Sequence, residues 1–443
     1  MNSFLKGTVL LVSVAFAGEC LELLTNVILT RELGEHGMGR YMSILPSIFL
    51  VVILASFELP ISLSKLIAEK EKEYHKGILS YTIKIAWTAT AILIAMVGLA
   101  FLLIPAFQEI EPVIRLMIIL LIPIISFSSV ARGYFMGIQK MRKIAIANFL
   151  RKVAQLGLLV LFFRLYNFDG ETALLTAICT LIASEFIVFI YLFHSYYFGV
   201  RQLKRAPAVL MKEKEMRKRL LGVSLPTTGM RIFHAVSNAV EPMIIKAALV
   251  AGGLSATAAT EQFGTLTGVA FTIGFFPAFI AHSLLIMLIP TVAERFSRQD
   301  ISGLVGLLKK VIGFTFLYGV PIIVGLYVWA EELAGLFVPS IYAAYFVKLC
   351  APYFLFHYLS LPLQAFMIGL GLVKDAFIHL VLSTMMQFAL IYYLGATHDW
   401  QMAGVIIGMN AGALLLLLLH LVTVVKKLDL TIVQRKTTNG HRI

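Results

Sequence analysis

The sequence predicts an all-α integral membrane protein with about twelve transmembrane helices in two pseudo-symmetric six-helix lobes. Of its 443 residues, 59% are hydrophobic and only 14% are charged, and the mean hydropathy is +0.89. Apolar runs of the roughly 20 residues that a bilayer requires recur along nearly the whole chain. No run alternates as a barrel strand would, so the spans are predicted to be helices that pair their own backbone groups.

The apolar runs give six spans in each half of the chain. They lie at 4–30, 39–66, 77–106, 112–136, 142–167 and 171–196, and then at 219–249, 263–293, 303–329, 343–369, 374–396 and 401–425. The predicted organisation is an N-terminal lobe over 1–197, a basic linker over 198–218, a C-terminal lobe over 219–426 and a tail over 427–443. The first run is too long for a signal peptide and is interpreted as a retained span.

Lys and Arg are divided unequally between alternate loops. One side of the predicted topology receives 27 of them and the other side 4. The positive-inside rule then places both termini in the cytoplasm of a multi-pass cell-membrane protein. The most basic loop, 201–219, is expected to lie on the inner membrane surface. Topology therefore explains the net charge of +13, and no nucleic-acid partner is expected.

The two halves of the chain resemble one another. The offset between equivalent positions grows from 215 to 225 to 232 along the chain, as duplication followed by insertion would give. The equivalent positions are Glu19 with His234, Asn26 with Glu241, Gly39 with Gly264, 68–70 with 293–295, Gly137 with Gly369 and Gln155 with Gln387. Because both halves contain six spans and begin on the same side, the repeats are predicted to be parallel.

A polar stripe runs along the seventh span. Its residues recur at i, i+3, i+7 and i+10 and share one helix face; they are Arg231, His234, Asn238 and Glu241. A charge at mid-bilayer costs roughly 2.5 to 3.5 kcal/mol, so the stripe is expected to line a wet cavity or a packed polar seam. We predict that Arg231 contacts an anionic head group, with His234 and Asn238 as hydrogen-bonding neighbours.

The first span carries a similar stripe of Glu19, Glu22 and Asn26. If the two stripes face each other, they surround a central cavity of the kind in which repeated transporters bind substrate. Asn26 is then a further substrate-binding candidate, and the carboxylates serve as ion or proton sites or hold Arg231 in the empty state. The structural alternative is that Glu22 with Arg231, or His234 with Glu241, are buried pairs that hold the halves together.

Several other polar residues are weaker candidates. Glu58, beside a predicted proline kink at Pro60, is a coupling-ion candidate or simply faces water. Arg151, with Lys152, either reaches an anionic head group or snorkels, and Glu185 is a weaker candidate still. Three lone histidines on apolar helices are interpreted as packing residues; they are His282, His357 and His379.

The sequence gives no sign of an enzyme or of a cofactor. The predicted outer loops are short and nearly without charge, and there is no Walker A motif for ATP hydrolysis. Cys20, Cys179 and Cys350 occur singly, so neither a disulfide framework nor a metal site is predicted. Transport would have to use an ion gradient, the membrane potential or the substrate's own gradient.

Several segments carry a family resemblance. They are TRELGEHGMGRY at 30–41, LPISLSKLIAE at 59–69, ARGYFMGIQKM at 131–141, GTLTGVAF at 264–271 and IPTVAE at 289–294. These resemble the stage V sporulation protein B group, in the polysaccharide-exporter branch of the multidrug/oligosaccharidyl-lipid/polysaccharide (MOP) superfamily. The resemblance implies a MATE-like fold with a V-shaped central cavity that opens alternately to either side. Relatives include lipid II flippases and exporters of undecaprenyl-linked oligosaccharides.

The chain departs from that group in the first span. Relatives tend to carry arginines there that are thought to meet the lipid diphosphate, and two such positions are Glu19 and Asn26 here. Arg231 matches a basic position and Glu241 an acidic one. The cavity is thus less cationic than a diphosphate site favours.

The function predicted is a flippase or exporter that moves a lipid-linked peptidoglycan, polysaccharide or spore-wall precursor by alternating access. Its expected partners are this amphipathic substrate, membrane lipids and a coupling H⁺ or Na⁺. One alternative is a cation-coupled multidrug or metabolite antiporter, which the acidic first span would suit. Another is a non-transporting scaffold that recruits envelope or spore assembly machinery through 201–219.

Overall fold

A computed structural model of the chain describes its backbone over residues 3–57, 59–103, 110–166, 168–203, 213–338 and 340–440. Side chains are described in these ranges except at 3–15, 198–203, 213–228, 341 and 430–440. This part of the chain is almost entirely helical and contains no β-strand. The all-α class predicted from the sequence is confirmed.

The helices are named here in chain order. They are α1 (Ser3–Ser56), α2 (Leu59–Glu69), α3 (Lys72–Leu103), α4 (Pro112–Gly137), α5 (Met141–Leu165), α6 (Gly170–Leu203), α7 (Glu213–Ala251), α8 (Ala256–Gly264), α9 (Phe271–Phe275), α10 (Phe279–Ser297), α11 (Ile301–Val328), α12 (Ala330–Gly335), α13 (Ile341–Leu349), α14 (Ala351–Gly369), α15 (Val373–Gly395) and α16 (Gln401–Gly440). A π-helical turn, Thr265–Ala270, joins α8 to α9, and a 3₁₀ turn, Phe276–Ala278, joins α9 to α10.

Nine segments among the described residues are long and apolar enough to cross a membrane, or ten if the bent pair Tyr342–Leu349 and Ala351–Gly369 is one span. Two further predicted spans account for the difference from twelve. The segment Phe16–Glu69 is counted once, but it covers parts of two predicted spans, 4–30 and 39–66. The helical backbone is broken between these two spans at Gly34, where φ is 66° and ψ is 179°. The other further span, predicted at 219–249, lies in α7, which is not among these segments, so its crossing of the membrane remains a prediction.

The chain separates into two compact units, and the boundaries between them fall inside α1 and α7. One unit comprises Met1–Gly39 with Glu241–Ile443, and the other comprises Arg40–Val240. These bounds differ from the predicted lobes at 1–197 and 219–426. The lobe boundaries remain a prediction.

Equivalent glycines make the same contact in the two units. A Cβ on Gly137 would lie 2.6 Å from the Cβ of Ile67, and a Cβ on Gly369 would lie 2.7 Å from the Cβ of Val292. In both cases the next obstacle is the carbonyl oxygen three residues before that partner, at 2.9 and 3.0 Å. The offset of 232 pairs the two glycines, and the ungapped offset of 225 pairs their two partners. This is the equivalence that an internal duplication predicts.

A row of glycines brings α16 close to α15. Gly404, Gly408 and Gly412 recur every four residues on one face of α16. A Cβ on Gly408 would lie 2.7 Å from the backbone N of Ile391, and one on Gly412 would lie 2.6 Å from the Cβ of Gln387. Small residues at this spacing let two membrane helices approach backbone to backbone. They therefore fix where α15 presents its polar side chains.

Candidate functional site

The stripe of the seventh span lies on one uninterrupted helix, α7. Arg231, His234 and Asn238 are exposed and Glu241 is half-buried, whereas Ala235, on another face, is only 4% exposed. The predicted arrangement of these four polar residues on one helix face therefore agrees with the structure. Their roles in substrate binding and ion coupling remain predictions.

His234 and Asn238 form a hydrogen-bonded pair on this face. The Asn238 Nδ2 atom lies 3.0 Å from His234 Nδ1. Because an amide NH₂ can only donate, Nδ1 accepts, and the neutral imidazole then carries its proton on Nε2. The pair thus holds the ring with an N–H that can donate to a ligand.

Glu241 is engaged by an amide from α15. Gln387 Nε2 donates to Glu241 Oε1 at 2.9 Å. The amide satisfies one carboxylate oxygen without neutralising its charge, so the carboxylate keeps the capacity to accept a proton or a cation. The contact with Gly412 positions Gln387 for this bond.

In the first span, Asn26 bonds to the distorted helix that follows α8. Its Nδ2 donates to Thr272 Oγ1 at 3.1 Å, and the Thr272 hydroxyl donates to the Gly268 carbonyl at 2.8 Å. Gly268 belongs to the π-helical turn, a distortion that is frequent at functional sites. Asn26 therefore ties α1 to this turn, and its role as a substrate ligand remains a prediction.

Glu19 lines a cavity of about 400 Å³ inside the unit formed by 1–39 and 241–443. Its walls are otherwise mostly apolar and aromatic. The remaining lining residues are Phe275, Ala278, Phe279, His282, Ser283, Ile286 and His357. Glu22, one turn further along α1, is exposed. Among the first-span candidates, the structure thus places Glu19 in a cavity.

Arg151 forms an ion pair inside the unit 40–240. Its Nε lies 3.7 Å from Glu185 Oε1, with the two side chains 27% and 14% exposed. Arg132 donates from Nη1 to Asn148 Oδ1 at 2.7 Å. It also interacts electrostatically with both members of the pair. Two weak candidates from the sequence are thus brought together. The role of Arg151 in substrate binding remains a prediction.

The predicted interruption of the second span is present. Helix α1 ends at Ser56, Phe57 takes a φ of 48°, and α2 begins at Leu59 with Pro60 in its first turn, where a missing N–H removes no helical bond. Glu58 itself lies outside the described residues, as do 204–212 of the basic linker.

The histidines separate into two groups. His379 is 8% exposed, and its Nδ1 lies 3.0 Å from Nδ1 of the equally buried His420, which fits the packing interpretation. His282 and His357 line the cavity with Glu19, and the packing interpretation remains a prediction for these two. The sequence could not show this shared cavity, since the three residues come from distant segments of the chain.

Gln387 was not predicted from the sequence as a site residue, but it contacts the predicted residue Glu241. Its equivalence with Gln155 was visible in the sequence, but its bond to Glu241 depends on the packing of α7 near α15. Within the ranges that the structure describes, no group of three His, Cys, Asp or Glu side chains is arranged to hold a metal ion.

Comparison with known proteins decides the family. Residues 4–294 match the family described as polysaccharide biosynthesis protein. The chain is 46% identical to the sporulation protein YkvU of Bacillus subtilis (strain 168) over the full length of both chains. It is 31% identical to the stage V sporulation protein B of the same organism, over 97% of this chain and 85% of that protein. The chain belongs to the polysaccharide biosynthesis protein family.

Solved structures of low sequence identity show the fold of this family member. The chain superposes on an inward-facing multidrug-resistance MATE transporter of the MOP superfamily with a TM-score of 0.73 at 16% identity. The match covers 93% of this chain and 95% of the transporter. A MOP superfamily transporter from Pyrococcus furiosus covers 96% of both chains, with a TM-score of 0.66 at 16% identity. The family and the MOP transporter fold support a membrane flippase or exporter, as the sequence predicted.

Proposed function

We propose that the protein moves a lipid-linked cell-envelope precursor outward across the cell membrane by alternating access, with both termini in the cytoplasm. The family concerns polysaccharide biosynthesis, and two relatives carry sporulation in their names. A precursor of the spore wall or of its peptidoglycan is therefore the favoured substrate. Such a molecule joins a polar saccharide to a long apolar chain through an anionic group.

The observation that carries this proposal is the polar face of α7. Arg231, His234 and Asn238 are exposed on α7, a helix that the sequence predicts to cross the membrane. A guanidinium offers two parallel N–H groups that match phosphate oxygens, and the bonded His234 ring adds a donor beside it. These groups suit the anionic part of a lipid-linked saccharide.

Glu241 is proposed as the coupling site of the transport cycle. It is half-buried and bonded to a neutral amide, so it can exchange a proton or a sodium ion as its surroundings change. Because ion binding and substrate binding would then favour different states, an ion gradient could drive the change between them.

A second transport function is favoured by one observation. The cavity beside Glu19 combines a carboxylate with aromatic rings, which attracts organic cations as well as sugars. The cation-coupled antiporter therefore remains the second candidate.

The proposal is tested by complementation of a strain that lacks the gene. Arg231→Ala is expected to abolish function while its membrane abundance, measured by immunoblot, stays at the wild-type value. Arg231→Lys keeps the charge and should retain partial function, because a point charge replaces the bidentate fork. Full function of Arg231→Ala would overturn the assignment.

A further inference from the structure

The cavity that contains Glu19 is large enough for one or two small rings. Its volume of about 400 Å³ falls within the range of ligand pockets, roughly 300 to 1,000 Å³. Its walls come from α1, from α9 and α10 with the turn between them, and from α14 through His357. All of its lining residues belong to one compact unit, the one formed by 1–39 and 241–443.

Aromatic packing holds the apolar walls in place. The Phe275 ring meets the His357 ring edge to face, with centroids 4.8 Å apart and planes at 68°. Phe16 of α1 packs against Phe279 at 5.5 Å. The negative face of an aromatic ring attracts weakly positive C–H groups, such as those on the flat side of a sugar ring. Fixed rings of this kind suit a cyclic, uncharged ligand.

Three polar groups of the cavity, on His282, Ser283 and Glu19, can accept hydrogen bonds. His282 Nδ1 lies 3.0 Å from the Ala278 carbonyl, which can only accept, so Nδ1 carries the proton and the neutral ring offers Nε2 as a lone pair. Ser283 donates its hydroxyl to the Phe279 carbonyl at 2.8 Å and keeps its oxygen lone pairs. The Glu19 carboxylate also accepts. These three groups favour a ligand that donates hydrogen bonds.

We propose that this cavity binds the saccharide head group of the substrate, with sugar hydroxyls donating to Glu19 and His282 and a ring face resting on Phe275 or Phe279. The proposal rests on the proposed function for the identity of the lipid carrier. It assigns the saccharide and the anionic group to different parts of the protein. It also gives a role to Glu19, since a carboxylate repels a diphosphate but accepts from hydroxyl groups.

The test is ligand binding to the purified full-length protein in nanodiscs, read by saturation-transfer difference NMR. The probes are N,N′-diacetylchitobiose as a neutral disaccharide, inorganic pyrophosphate and tetramethylammonium. The disaccharide is expected to give a saturable signal that neither of the other probes displaces. Absence of a saturable disaccharide signal would overturn the proposal, and so would its displacement by either of the other two probes.

Two cavity variants and one control variant locate the binding site. His282→Phe removes an acceptor and should weaken disaccharide binding by about fivefold or more, the effect of one lost hydrogen bond. Phe279→Leu should weaken it as well, whereas Phe316→Leu, on an exposed position of α11, should leave it unchanged. Each variant is first checked for a monodisperse elution profile. Equal affinity in wild type, His282→Phe and Phe279→Leu would place the sugar elsewhere and overturn the assignment.

The outcome is separable from that of the proposed function. If the disaccharide fails to bind but transport still depends on Arg231, only the saccharide site is lost. If it binds to the cavity but no lipid-linked substrate is moved, the cavity assignment survives and the transport proposal falls.

Discussion

Gln387 donates a hydrogen bond from its side-chain amide to the carboxylate of Glu241 at 2.9 Å, and Gly412 makes this possible. A Cβ atom added at Gly412 would lie only 2.6 Å from the Cβ of Gln387, so a larger residue at 412 would push Gln387 away. A close helix contact and a candidate coupling site are therefore two parts of one arrangement. Substitution of Gly412 or of Gln387 should therefore alter the hydrogen bonding of the Glu241 carboxylate.

The first prediction concerns this hydrogen bond. Gln387→Leu removes the donor and should reduce ion-dependent transport about ten- to a hundredfold, because hydrogen bonds to charged groups contribute about 1.5 to 3 kcal/mol. Glu241→Gln, which cannot ionise, should abolish the dependence on an ion gradient. Transport in proteoliposomes with imposed sodium or proton gradients measures both.

The control for Gln387 is the same substitution at its equivalent in the other unit. Gln155 is 9% exposed, so Gln155→Leu also replaces an amide that lies inside its unit by an apolar side chain. It should leave the ion dependence of transport unchanged. An equal loss of ion dependence in the two variants would contradict a special role for the Gln387 bond.

The second prediction concerns the glycine row of α16. Gly408→Ala places a methyl group 2.7 Å from the backbone of Ile391, so α15 and α16 must separate and the protein should become less heat-stable. Gly313→Ala in α11 meets no atom within 4 Å and should raise stability slightly, since alanine favours helix over glycine by about 1 kcal/mol. The apparent Tm in detergent distinguishes the two, and an unchanged Tm for Gly408→Ala would show that the contact is not needed.

The third prediction concerns the Arg151 and Glu185 ion pair. Arg151→Leu leaves a carboxylate that is only 14% exposed without its partner, so it should lower the Tm markedly. Adding Glu185→Leu should recover much of that loss, because two apolar groups replace the pair. If Arg151 also binds substrate, the double variant will be stable but inactive. A double variant no more stable than Arg151→Leu would show that the pair carries no coupling energy.

The fourth prediction concerns pH and the start of α6. The Asp169 carboxylate accepts from the Thr172 hydroxyl at 2.5 Å and from its backbone N–H at 3.0 Å, and these bonds lower the pKa of Asp169 below its ordinary value of 3.8. A lowered pKa means that the stabilisation is complete above the ordinary value and is lost as the pH falls through the lowered one. Protection from hydrogen exchange at the start of α6, taken relative to the intrinsic exchange rate at each pH, should therefore fall at acidic pH.

Asp169→Ala should abolish that pH dependence by removing the acceptor. Asp399→Ala, in the exposed turn before α16, should leave it unchanged and serves as the control. Exchange at the start of α6 that responds to acid equally in the wild type and in Asp169→Ala would exclude the carboxylate as the cause.

The sequence predicts those features of this protein that depend on local periodicity. The polar face of α7 follows from residue spacing alone, because one helix carries all four residues. The duplication followed from aligned residues and is seen again in the matched contacts of Gly137 and Gly369. The first prediction concerns residues on a single helix. The second concerns one contact that occurs at equivalent positions of the two halves.

Features that depend on packing between distant segments could not be predicted. His282 and His357 each look like an isolated histidine on an apolar helix, and only the fold brings them to Glu19. The sequence offers two interpretations of Arg151, and its ion pair with Glu185 is visible only in the fold. In each case the residue that completes the contact lies on another helix, far away in the sequence.

The most direct test of the account is translocation of a fluorescent lipid-linked disaccharide diphosphate by the purified protein in proteoliposomes, read by quenching with a membrane-impermeant reductant. The wild type should move the lipid faster than protein-free liposomes do, and Arg231→Ala should not. Equal rates in liposomes with wild type, with Arg231→Ala and without protein would contradict the account.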